Sequence, residues 1–129
     1  AWQDTLDILR PYTGKLRAVF HCFGGSPEDA AEIAAMGHLV SFTGIVTFKN
    51  AALVQGSAKS VAPDGYMLET DCPYLAPAPF RGKTCEPAHV RLTAEKIAGL
   101  RGEAPEKIAA DTERTANSFF RLQGLAGGP

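Results

Sequence analysis

LRAVFHCFGGSPEDAAEIAAMGHLVSF, residues 16–42, places a helical pattern between two short apolar runs. The first run, 16–23, is partly β-branched or aromatic and lies between Gly14 and Gly24, which predicts a buried strand. Ser26, Pro27 and Asp29 then form a helix start: a hydroxyl cap, a proline in the first turn and an acid at the positive dipole end. Ala30, Ile33 and Ala34 fall on one face of that helix, and Gly37 stops it. The run 38–42 follows directly as a second strand. A strand, a helix and a strand with connections this short are expected to form a parallel βα unit.

The same alternation extends in both directions. Trp2, Leu6 and Leu9 recur at helical spacing before Pro11. Asn50 is a plausible cap for a helix through Val61, which Gly56 weakens. A Pro63-Asp64-Gly65 turn leads into YMLETD, 66–71, read as a third strand. Residues 72–87 hold Pro73, Pro77, Pro79, Gly82 and Pro87, so they are expected to form a long irregular loop, and such loops are usually functional or disordered. Helical patterns return over 87–101 and from Pro105 to about Leu122, and 123–129 reads as a flexible tail. The expected class is α/β, with about three parallel strands buried on both faces. A closed eight-fold βα barrel takes roughly 250 residues, so 1–122 are expected to supply its C-terminal part.

Composition narrows the function classes. The chain has 129 residues, 45% hydrophobic and 21% charged, which describes an ordinary soluble globular domain. A net charge of −1 excludes any global attraction to nucleic acid or membrane, leaving that to local patches. No apolar run approaches the roughly 18 residues of a membrane span, and no secretory signal is expected. Cys22, Cys72 and Cys85 lack CxxC spacing, which predicts reduced thiols and a cytoplasmic setting.

Parallel α/β folds gather chemistry at the C-terminal ends of their strands. His21 lies near that end of the first strand and Asp71 closes the third. By strand alternation His21 shares a face with Val19, and Asp71 shares one with Glu69. If both faces point inward, an imidazole and a carboxylate converge, a donor set suited to zinc, manganese or a similar divalent ion in a hydrolase. Each residue also has a plainer reading: His21 as a hydrogen-bonded core residue, Asp71 as a turn cap, Glu69 as the ion-pair partner of Arg81. His38 and His89 are expected to face solvent. A thiolate metal site is disfavoured, because Cys22 and Cys72 fall on the opposite parity from His21 and Asp71. For anions, Gly24, Gly25 and Ser26 open a helix N-terminus, and Arg81 and Lys83 flank Gly82 in the long loop.

HCFGGSPEDA, SFTGIVTFKN, LETDCPYLAPAPFRGKTCEPAHV and TANSFFRL follow one another much as in the TatD family of metal-dependent deoxyribonucleases, which this chain resembles from about Leu6 to Leu122. The resemblance implies part of a (β/α)8 TIM barrel of the metal-dependent hydrolase type, with divalent ions (Mg, Mn or Zn) at its mouth. It implies DNA as a partner and hydrolysis of phosphodiester bonds. His21 matches a metal ligand, and Asp71 matches the aspartate that ligates and assists the attacking water. Glu69, Arg81, Lys83 and the helix start at Ser26 are expected on the substrate side. Cys85 stands where the family usually has asparagine, and Gly24 where serine is common. The family's early HxH pair, its mid-chain glutamate and a further histidine have no counterpart here, so the implied site is incomplete. A second expectation follows: an inert half-barrel that associates with itself or with a complementary N-terminal half.

Overall fold

The computed structural model describes residues 1–122, and the expected tail at 123–129 lies outside the described residues. Three parallel strands lie side by side in chain order: β1 (Val19–Phe20), β2 (Leu39–Phe42) and β3 (Tyr66–Leu68). Val19 pairs with Leu39, and Val40 pairs with Tyr66. Among the described residues the α-helices are α1 (Trp2–Leu9), α2 (Pro27–Ala35), α3 (Ala52–Ser60), α4 (Val90–Arg101) and α5 (Pro105–Phe120).

Side chains alternate along each strand, so the sheet has two distinct faces. Val40, Phe42 and Tyr66 point toward the helices and join Ile33, Val54, Ala58, Ile97 and Ile108 in the core. Val19, Leu39, Ser41 and Met67 have the other parity, and this second face leads up to the site. Helix α2 begins as its sequence predicts. The Ser26 hydroxyl accepts from the Asp29 N–H while Asp29 accepts from the Ser26 N–H, a reciprocal capping box. Gly37, at φ 80°, turns the chain from α2 into β2. At the end of α4 the Arg101 guanidinium donates to the carbonyls of Ala58 and Val61 at 3.0 and 2.7 Å, fastening α4 to the end of α3.

Several expectations need correction. The strands are shorter than their apolar runs: β1 stops at Phe20 and β3 at Leu68. Only β2 is buried along its whole length, because β1 and β3 are the edges of the sheet. Asn50 does not cap α3: the cap position is Ala51, without a side-chain bond. Instead the Gln55 amide donates to the carbonyls of Val46 and Phe48 and ties the helix to the preceding turn. The loop after β3 is anchored over its length. Ala78 N–H donates to Thr47 Oγ1 at 2.8 Å, and a Cβ on Gly44 would lie 2.5 Å from the Leu75 carbonyl oxygen. Only glycine admits that approach. His89 is half-buried, stacked on Phe80 with ring centroids 4.8 Å apart.

His38 is buried, at 3% exposure, where the sequence predicted a solvent-facing side chain. Its Nδ1 accepts from the Ala18 N–H at 3.2 Å, and its Nε2 is buried without a partner among the described residues. Protonation would place a charge there and take the lone pair that Ala18 uses. Burial accordingly holds the imidazole below its ordinary value of 6.5. The unfolded chain then takes up a proton that the folded chain refuses, so this contribution is complete above 6.5 and is lost as pH falls toward the depressed folded-state value. Urea midpoints between about pH 7 and 5 are expected to fall more steeply for the parent chain than for His38→Gln. Coincident slopes would assign the acid sensitivity elsewhere.

Candidate metal centre

The top of the sheet is shaped by the turn that ends β1. Cys22 adopts φ 50°, a left-handed conformation uncommon for a residue with a Cβ. This turn takes His21 off the strand, leaving its side chain 64% exposed, before Phe23 N–H rejoins the ladder at the Ser41 carbonyl. On the other side, Glu69 N–H continues the ladder from β3 to the Phe42 carbonyl, and Asp71 follows two residues later.

Glu69 gathers all three strand ends. Its Oε1 accepts from the Cys22 N–H at 2.7 Å and from the Ser41 hydroxyl. Its Oε2 meets His21 Nδ1. A half-buried carboxylate is costly without partners, and hydrogen bonds to a charged group contribute about 1.5–3 kcal/mol each. Glu69 therefore draws its compensation from Cys22, Ser41 and His21 rather than from Arg81. The second imidazole nitrogen, Nε2, lies 2.9 Å from Asp71 Oδ1. His21, Glu69 and Asp71 each offer a ligand atom, all within 4.8 Å of one another.

Two carboxylates around one imidazole leave the cluster negative even when the ring is protonated, which favours a cation. The donors are one nitrogen and carboxylate oxygens, a set that suits zinc or manganese and, with more oxygen, magnesium. The hydrogen bond to Glu69 holds the ring and occupies Nδ1, so Nε2 and Asp71 are the pair left to face an ion. Histidine ligands are commonly oriented in this way by a carboxylate on the far nitrogen.

The thiols do not compete for this role. Burial pushes the Cys22 thiol up, Thr43 offsets part of that, and the charges of Asp71 and Glu69 add to it. It stays protonated at neutral pH, and its sulfur lies 3.6 Å from Thr43 Oγ1. Cys22, Cys72 and Cys85 are all free.

Of the residues expected on the substrate side, Glu69 lies within this cluster, while Ser26, Arg81 and Lys83 make no hydrogen bond or ion pair to it among the described residues. Arg81 lies over the Phe48 ring, 4.1 Å from its centroid, on the exposed surface of the long loop. Lys83 is exposed as well, and among the described residues neither pairs with a carboxylate. The Ser26 N–H and hydroxyl are both spent on Asp29. Sequence reasoning missed Ser41 and the Cys22 N–H. A lone serine at the end of an apolar strand, on the parity of Leu39, was a usable signal for the first. No residue type announces the second.

The family described as "TatD related DNase" matches residues 1–121. The chain belongs to the TatD family. Its similarity to TatD-family relatives is substantial. It is 42% identical over 123 residues to the uncharacterized metal-dependent hydrolase YabD of Bacillus subtilis, covering 95% of this chain and 48% of that protein. It is 44% identical over 120 residues to YcfH of Escherichia coli, also named an uncharacterized metal-dependent hydrolase, covering 92% and 44%. Among solved structures, the TatD homologue YJJV of Escherichia coli superposes with a TM-score of 0.85 at 21% identity, over 93% of this chain and 46% of that one. A TatD-family hydrolase from Entamoeba histolytica gives 0.76 at 20% identity, over 92% and 48%. The chain thus spans about half the length of the curated relatives it matches. The TatD relatives carry metal dependence in their names, and the donor set of His21, Glu69 and Asp71 agrees with it.

Proposed function

We propose that this chain forms one wall of the metal site of a hydrolase that cleaves phosphodiester bonds in DNA. The observation that carries the reading is the convergence of His21, Glu69 and Asp71 at the C-terminal ends of the parallel strands. The description of the matching family as a DNase supports the choice of bond. His21 Nε2 and Asp71 hold the divalent ion, which when bound supplies Lewis acidity toward a phosphoryl oxygen or a water. Glu69 orients the imidazole through Nδ1. An Asp71 oxygen not engaged in ligation takes a proton from the attacking water.

Arg81 and Lys83, exposed and without acidic partners, hold substrate phosphates on the loop. At the α2 start the backbone N–H groups of Gly24 and Gly25 remain for a phosphate, because those of the cap are occupied; Ser26 contributes by holding the turn. A catalytic metal takes three protein ligands and an open position, and a chain carrying further barrel strands completes the set. The test supplies that complementary half together with manganese and a labelled oligodeoxynucleotide. Nucleotide release is expected, and Asp71→Asn should slow it by about 10²–10⁴-fold. Unchanged cleavage by the variant, or hydrolysis of carboxylic esters but not DNA, would sink the reading.

A second reading has its own observation. Among the described residues the outer edges of β1 and β3 are unpaired, and a groove of about 680 Å³ beside β3 is lined by Leu68, Val90, Ala94 and Ala109 with Arg91, Glu95 and Glu113 at its sides. Open edges and apolar grooves favour association. The alternative is an inert half-barrel that pairs with itself. A monomer mass at every concentration in sedimentation would rule it out.

A further inference from the structure

The loop after β3 begins and ends with a cysteine, and the fold returns the second to the first. Cys85 N–H donates to the Pro73 carbonyl at 2.9 Å, which lays the two ends of the segment 72–85 side by side. The thiols have different surroundings. Cys72 is exposed, with its sulfur 3.1 Å from Thr70 Oγ1. Cys85 is 3% exposed, and its sulfur is 3.8 Å from the Glu86 carbonyl oxygen. Burial pushes the Cys85 thiol up, and the neighbouring Cys72 thiol adds to this.

We propose that Cys72 and Cys85 form a redox-sensitive dithiol, in which a hydroperoxide oxidises exposed Cys72 and buried Cys85 resolves it to an intramolecular disulfide. Nothing in the proposed hydrolysis requires this chemistry. The division of labour follows from access: the attacking thiol must reach the oxidant, and the resolving thiol needs only to reach the first sulfur.

The step balances with hydrogen peroxide as the oxidant. The Cys72 sulfur attacks one peroxide oxygen, the O–O bond breaks, and the departing oxygen leaves as water after taking a proton. Cys72 is then a sulfenic acid. The Cys85 sulfur attacks the Cys72 sulfur, the S–S bond forms, and the S–O bond breaks, with hydroxide leaving as water on taking the Cys85 proton. Two thiols have given two electrons and two protons, and one peroxide has become two waters. The bridge closes the base of the loop that carries Arg81 and Lys83, immediately after Asp71 in the chain. A covalent tie at that point restrains the base of the loop.

Treatment of the chain with hydrogen peroxide, alkylation and peptide mass mapping test the idea. The expected product has lost two hydrogens and contains a peptide joining Cys72 to Cys85, and it reverts with dithiothreitol. Cys85→Ser is expected to leave Cys72 as a sulfenic acid that dimedone traps, whereas the parent chain traps at least tenfold less. Should Cys85→Ser fail to fold, Cys72→Ser at the exposed position decides the matter. It should form no internal bridge and leave Cys85 reduced. Sulfinic acid on Cys72 without a bridge in the parent chain, bridging through Cys22, or only intermolecular disulfides would each overturn the proposal.

Discussion

Alanine at Asp71 is expected to abolish stoichiometric binding of a divalent ion, with the affinity for manganese or zinc falling by more than about 100-fold in calorimetric titration. Asp71 Oδ1 faces His21 Nε2 at 2.9 Å, and without it a single imidazole nitrogen is left to meet a cation. Glu69→Ala should behave differently. It removes the group that holds the ring through Nδ1, and loss of such an orienting carboxylate typically costs about 10–100-fold in affinity. The order of the two variants therefore distinguishes ligand from orienting group. Unaltered binding by Asp71→Ala would remove the aspartate from the metal site, and equal losses would make Glu69 a ligand as well.

Phe42→Ala is expected to destabilise the chain by about 3–5 kcal/mol, enough to leave much of it unfolded given the roughly 5–15 kcal/mol of an ordinary domain. Phe42 is fully buried in the central strand, with ring centroids 6.3 Å from Phe23 and 5.6 Å from Tyr66. Its neighbours belong to a sheet and to helices that cannot readily close on the space left behind. Phe120, 56% exposed at the end of α5, makes the matched control: its alanine variant should change the urea midpoint little. Similar midpoints for the two variants would show that the sheet's helix-facing side is not the core.

Much of this architecture was legible in the residues, because the signals were local. Apolar runs between glycines marked three strands, and Ser26-Pro27 followed by Asp29 marked the start of α2. Strand parity correctly brought His21 toward Asp71, although neither lies within a strand. The two meet because the turn at His21 and Cys22 carries the imidazole toward the end of β3, where Glu69 and Asp71 hold it. Local signals failed where a distant group decides. The burial of His38 depends on Ala18, just before the neighbouring strand, and on Phe20 within it, which its own flank, Gly37, does not reveal. Asn50 has the chemistry of a cap, but the chain enters α3 one residue later, through Ala51. Glu69 seemed to need a cation, and hydrogen-bond donors from two other strand ends serve it instead. Nothing in the residue types at 21, 69 and 71 singles out one divalent ion or one substrate.

The Cys22 amide, bonded to Glu69 at the end of β1, has two memberships. It is part of the closure of the sheet, and it also steadies the carboxylate that steadies the imidazole. Fraying of the first strand and loss of the cation site are consequently one event seen from two sides. A change of the chemistry at Glu69 also changes how firmly the end of β1 is held. A substitution at Glu69 is therefore felt twice, whereas position 22 offers the same N–H whatever non-proline side chain it carries.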